Sequence, residues 1–586
     1  MESMVHGLMK YLSPRWLVGP ILDKELRVSS RRRRNYVVRM MYLVLLILFL
    51  TLVWLSTVPT RESGAYRTTE MARAGQTITQ FIVWFQFLAC QVLAIVMLST
   101  AISDEVYHRT LGVLMTTPIN SLQIVVGKLV SRLFQVLLLM AVSLPLLAIV
   151  RIFGGIAWSF LAGSWILTFT TTLFVGSVSL LFSIFCRRAY GVILWTALSL
   201  FGLWGGIPLL SGLVGIEYHF ISERQWLAFF SRTNPFFGLA QLSEWFMSPR
   251  TLPLGVLQMW LGPSLVLVMG TIGLLTIAVI RVRIVARRQI TGDVPVSRGR
   301  SKVGRSDGAS IQCIPVRGCP ILWKEMRAPL MGKRKGLKVL VAALVLGGLA
   351  VLYGVAAKVN ALDDSGFHIP MVFLFMIVGG LFSIVIPATT ITTEKETRSW
   401  PILLGTTLSD WRIVLAKGLG AIRRTLPAWF FLVGHVLGFT IAGLIHPLAL
   451  LQLAMSATGL VAFVSGTGLY FSSRFRHTTM AVIANLAVPV VLWILVPIVI
   501  GFILAINGSH NAESLMTYLG LCPFVQAGVI TETCVPGWRL QMYRFGSFSL
   551  DTGEAMVFLL VTMTLYILLG FVFARRARCN LRRRIF

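Results

Sequence analysis

Acidic residues are scarce in this chain. Only 22 of its 586 residues are Asp or Glu, and with 53 Lys and Arg the charged share reaches just 13%. A soluble globular protein carries about 25%, so a water-soluble fold of this size would lack the charge to cover its surface. Ten runs hold no Asp, Glu, Lys or Arg at all, among them residues 40–60, 152–186, 365–393, 425–473 and 478–512. Each is at least about 19 residues long, enough at 1.5 Å per residue to cross a hydrocarbon core of roughly 30 Å. Soluble proteins do not bury ten such runs.

Cysteine and histidine are sparse too. Seven cysteines show no CxxC spacing, and eight dispersed histidines show no HExxH, so no catalytic, cofactor-binding or metal-ligating set is expected. Cys522 and Cys534 share one external loop, where a disulfide and two free thiols are both open. No GxxxxGK[ST] loop occurs; Gly127-Lys128 is followed by Leu129. The net charge of +31 would suit nucleic acid, but no groove-entering element accompanies it. Intramembrane acids are missing as well, which argues against an ion-coupled secondary carrier of six-plus-six helix design, since such carriers titrate carboxylates inside the membrane. His435 is the one candidate proton carrier near mid-membrane. Gln91, Gln135 and Asn485 stand as isolated polar groups on otherwise apolar walls, which favours a lipidic or amphipathic cargo.

What is there predicts an all-α polytopic membrane protein of about 12 transmembrane helices. They are expected near 41–57, 79–102, 129–150, 158–185, 192–216 and 254–280, then 338–357, 370–392, 425–444, 447–472, 480–505 and 555–574. The run 425–473 must hold two helices, broken at Ile445-His446-Pro447. A semi-apolar stretch around 519–530 is expected to dip into the membrane without crossing. Basic clusters at Arg31–Arg34, Arg281–Arg288, Lys333–Lys338 and Arg575–Arg584 fall on one side if each half has six spans. The positive-inside rule makes that side, and both termini, cytoplasmic. The basic forty residues before the first run do not read as a cleavable signal peptide.

The halves repeat. Pro-Ile-Leu-Asp-Lys-Glu-Leu-Arg at 20–27 returns as Pro-Ile-Leu-Trp-Lys-Glu-Met-Arg at 320–327. Between the second and third spans, the segment from Glu105 to Pro118 aligns with Glu394 to Thr407, and Ile124-Val125-Val126-Gly127-Lys128 with Ile413-Val414-Leu415-Ala416-Lys417. The offset is constant, since 394 − 105 and 417 − 128 are both 289. Asn234-Pro235-Phe236 is echoed by Cys522-Pro523-Phe524 before each last span. The chain therefore divides into a first six-helix unit (1–288), a flexible basic linker rich in Gly, Ser and Arg (289–318), and a second six-helix unit (319–586). An even number of spans per half makes the repeats parallel, as two parallel six-helix repeats, which disfavours inverted-repeat transporter folds.

In each inter-span segment an acid stands four residues before a base, Glu105 with Arg109 and Glu394 with Arg398. That is the favourable order for a helical pair. Leu111 and Leu114, and Trp400 and Leu403 in the copy, are expected to form an apolar edge on the same short helix, with Pro118 ending the first. Such a helix either anchors a loop at the membrane surface or docks a cytoplasmic partner.

Here the residues resemble a family. The Glu–Arg–Leu run ending in Thr-Thr-Pro-Ile, with Ile-Val-Val-Gly-Lys at the third span, is similar to the coupling region of ABC-2 type permeases. The motif holding Lys24, Glu25 and Arg27, repeated as Lys324, Glu325 and Arg327, resembles the membrane-surface connecting helix of bacterial members. The copy departs from the pattern at Trp400-Pro401 and Thr407. The resemblance implies a non-catalytic permease subunit of an ABC transporter, an exporter of the bacterial cytoplasmic membrane. It also implies separate ABC ATP-binding subunits, two of them, that hold ATP and magnesium, so that no cofactor sits in this chain. Membrane lipid is the other expected partner, and nucleic acid is not one.

Overall fold

The computed structural model of the chain describes residues 22, 24, 25, 27, 33–57, 65–290, 318–327, 335–506, 513–535 and 542–582, apart from 109, 115, 118, 155, 187, 210, 213–221, 248–252, 359, 546 and 547. Most of the expected linker, 291–317, lies outside them. The described residues form two compact units, one from each half of the chain, and helix dominates both. In a bilayer the helix satisfies its own backbone polar groups, so long uncharged runs have no other open-ended choice.

The first unit runs α1 (Arg33–Thr57), α2 (Ala65–Leu98), the short α3 (Ser103–His108) and α4 (Leu111–Leu114), then α5 (Ser121–Gly154) and α6 (Trp158–Phe185). It continues with α7 (Ala189–Phe201), α8 (Glu223–Thr233), α9 (Pro235–Met247) and α10 (Pro253–Ile290). The second unit repeats the order: α11 (Pro320–Arg327), α12 (Lys335–Lys358), α13 (Ser365–Thr389), the short α14 (Thr392–Glu396) and α15 (Trp400–Leu404), then α16 (Asp410–Ile441) and α17 (Leu448–Arg474). After them come α18 (Thr478–Val490), α19 (Val496–Ile506), α20 (Glu513–Gly520), α21 (Pro523–Cys534) and α22 (Thr552–Asn580). An antiparallel hairpin, β1 (Tyr543–Phe545) with β2 (Phe548–Leu550), precedes α22.

Ten of the described helices are long and apolar enough to cross a membrane, or eleven if a bent pair counts as one span. The first and seventh expected spans fall on shorter apolar stretches, Arg39–Leu55 and Val345–Lys358. The bent pair is Glu513–Gly520 with Pro523–Cys534, folded by 92°, where the sequence led us to expect a dip without a crossing. The break in the run 425–473 also falls where expected. Helix α16 ends at Ile441, Gly443 takes φ +80°, and α17 starts after Pro447.

The repeat extends to a rare backbone feature. The fifth span of each unit contains one π-helical stretch, Gly202–Gly206 and Val491–Leu495, and 491 − 202 is again 289. A π turn leaves carbonyls without their usual i+4 donor. In the first unit Asn234 Nδ2 donates to Trp204 O at 2.8 Å, and in the second the Tyr518 hydroxyl donates to Leu492 O at 2.7 Å. Both donors come from the segment between the π-containing helix and the last span of their unit.

One open reading closes here, and one expectation changes. Cys522 caps α21 and Cys534 is its last residue, so about 18 Å of helix separates them, and both are free thiols. Asn485 is no wall group. It is fully buried, donates to Ile384 O and Val464 O at 2.7 and 3.1 Å, and accepts from Thr467 at 2.7 Å, joining three helices. In the first unit the equivalent carbonyl, Ile95 O, 289 positions before Ile384, accepts instead from Ser179 Oγ of α6 at 3.1 Å, which ties two helices. Gln91 likewise donates across to Thr172 at 3.4 Å, and Gln135 is buried.

Candidate coupling site

The segments between the second and third spans are built from the inside out. Each is two short helices, not the single helix the sequence led us to expect. Leu111 is fully buried in the core of the first unit, among Leu98, Ile102, Val125 and Leu129. Trp400, 1% exposed, fills the same place in the second, packed with Ile321 of α11, Ile413 of α16 and Leu469 of α17. Leu114 and Leu403 are half-buried. The apolar edge read from the sequence therefore faces its own unit. What points outward is Val113, 66% exposed, and Ile402, 76% exposed. They occupy equivalent positions, since 402 − 113 is 289.

The acids choose different partners from those expected. Glu394 does not pair with Arg398: α14 stops at Glu396, and Arg398 sits beyond it, exposed, with φ +57°. An i,i+4 pair needs an unbroken turn, and the left-handed residue ends it. Glu394 instead meets Lys417 on α16, whose ammonium also binds Glu325 of α11 at 2.8 Å. Lys417 is 3% exposed. Arg424 closes on the other oxygen of Glu325, and Lys324 stands 3.8 Å from Glu394. Burial alone would raise the Glu325 carboxyl, but Lys417 and then Arg424 outweigh it and hold the group below its ordinary value of 4.5. Gly420 permits this approach, because a Cβ there would lie 2.6 Å from the Glu325 Cβ.

The first unit carries a lighter version. Lys128 binds Glu105 at 2.6 Å and the Ala101 carbonyl at 2.5 Å. Glu25 turns to Arg132, at 3.5 Å. Lys24 and Arg27 are exposed helical residues beside it. Arg327 lies over the Trp323 ring, 4.4 Å from its centroid. Arg109 and Pro118 lie outside the described residues, so the Glu105–Arg109 pair is not among the described contacts.

The second segment is spliced further into its unit. Lys395 donates to the carbonyls of Ser472, Ser473 and Phe475 at the end of α17. Glu396 accepts from the Thr478 amide at the start of α18, at 2.7 Å. Ser472 Oγ accepts from the amides of Ile391 and Thr392 at 2.9 and 3.1 Å. Three consecutive charged residues thus grip three different helices. Their counterparts 289 positions earlier include Val106 and Tyr107, which offer no such charges. The lysine that holds the site together, Lys128 or Lys417, closed the repeated Ile-Val-Val-Gly-Lys string. Its recurrence at the end of an apolar string was the signal that sequence reading left without a role.

His435, the candidate proton carrier, belongs to a joint elsewhere in the second unit. Its Nδ1 lies 2.8 Å from the Tyr353 hydroxyl and its Nε2 3.3 Å from Nδ1 of His368, whose Nε2 meets Leu362 O at 2.8 Å. Both rings are buried. Among the described residues no group of three or more His, Cys, Asp or Glu is placed to hold a metal ion.

Helices of this length, with an interfacial segment clamped between the second and third spans, define a polytopic membrane protein that presents paired surface elements. Residues 20–284 match the family model of the ABC-2 family transporter proteins. The match covers a little under half of the chain, from before the first span of the first unit into its last helix, and a polytopic helical protein is consistent with it. No curated protein matches the chain.

Proposed function

We propose that the chain is the membrane permease subunit of an ABC exporter, driven by two ATPase subunits on separate chains. In this reading both termini and the coupling segments are cytoplasmic, each half is a six-span unit, and the sequence between them is a linker. The chain itself is non-catalytic, and ATP and magnesium are held by the partners.

The observation that carries it is the matched pair Val113 and Ile402. Each is a strongly exposed apolar residue two positions after the buried anchor of its short helix, Leu111 or Trp400, on a segment held to its unit by a lysine clamp. An apolar knob on a rigid base suits a socket on a partner, and two knobs at one register suit a pair of partners. The clamp explains how a push would travel: in the second unit α11, α14 and α16 meet at one lysine, so displacement of the tip reaches a spanning helix without passing through a flexible loop. The carrier alternative gains no support from His435, which serves a helix joint.

The test is co-purification of the ATPase with Val113→Asp/Ile402→Asp. Each site is exposed in the chain alone, so folding should change by no more than about 0.5 kcal/mol. In a docked complex each carboxylate would be buried unpaired at a cost of several kcal/mol. Loss of the ATPase with normal membrane insertion is expected. Retention of the ATPase with transport intact would overturn the docking assignment.

A further inference from the structure

The second unit holds a buried polar chain at the end of its spans remote from the coupling segment. His368 is the fourth residue of α13. His435 lies near the end of α16, 18 residues beyond Lys417, since 435 − 417 is 18, or about 27 Å along the helix. Both rings are buried in an aromatic box. Phe439 lies 4.8 and 4.9 Å from the two imidazoles, Phe367 5.3 Å from His368 and Phe375 5.6 Å from His435.

One carbonyl fixes the protonation of the whole chain. Leu362 O only accepts, so Nε2 of His368 carries the hydrogen between them at 2.8 Å, and Nδ1 of the neutral ring is an acceptor. Nε2 of His435, 3.3 Å away, must then donate to it, which leaves His435 Nδ1 to accept from the Tyr353 hydroxyl at 2.8 Å. Each donor is used once, and α12, α13, α16 and the turn before α13 are joined, only while both rings are neutral. A proton on His368 Nδ1 sets two N–H groups against each other. A proton on His435 Nδ1 turns Tyr353 into an acceptor and strands its hydroxyl hydrogen. Either charge sits among aromatic rings, and among the described residues no carboxylate hydrogen-bonds to the imidazoles. Asp363 and Asp364, both exposed, follow Leu362 and stand near enough for their charges to act on the His368 ring. The other titratable groups at this end of the unit are Lys358 at the end of α12, His446 before α17, and Glu532 and Cys534 on α21.

We propose that the Tyr353–His435–His368 chain is an acid-operated latch. With both imidazoles neutral it ties α12 and α16 to the start of α13. In acid a proton from solvent enters, the chain parts at the bond between the two histidines, and the imidazolium of His368 turns to Asp363, Asp364 and water. An imidazole in water takes its proton near pH ~6.5. The parted form binds at least one proton more than the joined form, so it is favoured as pH falls below that value. The helices that the latch joins also lead to the Lys417 clamp, α13 through Glu394 on α14 and α16 through Lys417 itself. Parting one end therefore frees the pair to move about the other. At the equivalent positions, 289 residues earlier, the first unit has Thr79 and Leu146 in place of His368 and His435. Neither titrates, so the latch belongs to the second unit alone.

The experiment uses the full chain in nanodiscs, with amide hydrogen exchange followed by mass spectrometry from about pH 8 to about pH 5 and corrected for the intrinsic effect of pH. Uptake of one proton makes the opening constant of the start of α13 rise about tenfold per pH unit below about pH 6.5. The matching segment of α2 around Thr79 should not follow. His368→Gln/His435→Gln cannot titrate and should lose the acid step. Tyr353→Phe removes the donor to the neutral ring and should raise opening about fivefold at neutral pH, as the loss of one hydrogen bond does. Exchange at the imidazole C2 hydrogen, read in the same peptides, reports the protonation of each ring in the wild type and needs no variant to fold. Two rings still neutral at about pH 5, an equal rise around Thr79, or an acid step that survives in the folded double variant would each overturn the latch. The readings need no ATPase and no particular insertion, so their failure is distinct from failure of the permease reading.

Discussion

Replacing Lys417 with methionine is the sharpest test of the clamp. The ammonium lies between two carboxylates whose side chains are 8% and 14% exposed. Methionine fills the space but leaves both acids facing one another without their shared cation. Breaking a buried ion pair from one side costs about 3–5 kcal/mol, because the remaining charge stays out of water. Arg424 still holds Glu325, and Lys324 still approaches Glu394, so the lower end, about 3 kcal/mol, is expected. The matching change in the first unit, Lys128→Met, strands only Glu105, whose side chain is 23% exposed. A cost of about 1.5 kcal/mol follows for a lost charge-assisted hydrogen bond. Mixed-micelle denaturation of the purified chain, followed by tryptophan fluorescence, measures both. The variant Lys417→Met/Glu394→Gln should recover most of the loss, since the acid left without a close cation is then neutral. If Lys417→Met costs no more than Lys128→Met, or if the double variant is as weak as the single, the clamp does not carry the electrostatic load assigned to it.

Other consequences can be checked on the same preparation. Arg398→Gly should be neutral or stabilise by up to about 1 kcal/mol, since φ +57° strains an L-residue and suits glycine; a loss would restore the helical Glu394–Arg398 pair. Glu396→Ala removes the acceptor for the Thr478 amide and should cost about 1 kcal/mol, with faster hydrogen exchange at Thr478 as its signature. The Glu325 carboxyl is held below its ordinary value, so its contribution is fully present above that value and is lost as pH falls through the depressed one. Melting temperature should therefore show no Glu325-dependent change from pH 7 to pH 5, and Glu325→Gln should differ from wild type least in strong acid. A wild-type advantage that fades near neutral pH would contradict this.

Composition by itself determined the membrane class, because runs without charge have few other fates in a chain this poor in acids. The duplication was equally legible, since a constant offset of 289 needs no coordinates, and the structure adds a paired π turn at that same offset. The break at Pro447 could be read because proline cannot continue a helix after a left-handed glycine. What the sequence missed was direction. Spacing showed that Leu111 and Leu114 share an edge with their copies, but only tertiary packing decides which edge the unit buries. It buried Leu111 and Trp400 and left Val113 and Ile402 outside. Spacing likewise put Arg398 four residues from Glu394, yet a buried lysine from another helix gives a stronger pair than an exposed arginine at the end of a short one. That lysine lies 23 residues beyond Glu394 and 92 beyond Glu325. Only the folded chain could bring those three charges to one point, where their exclusion from water makes each depend on the others.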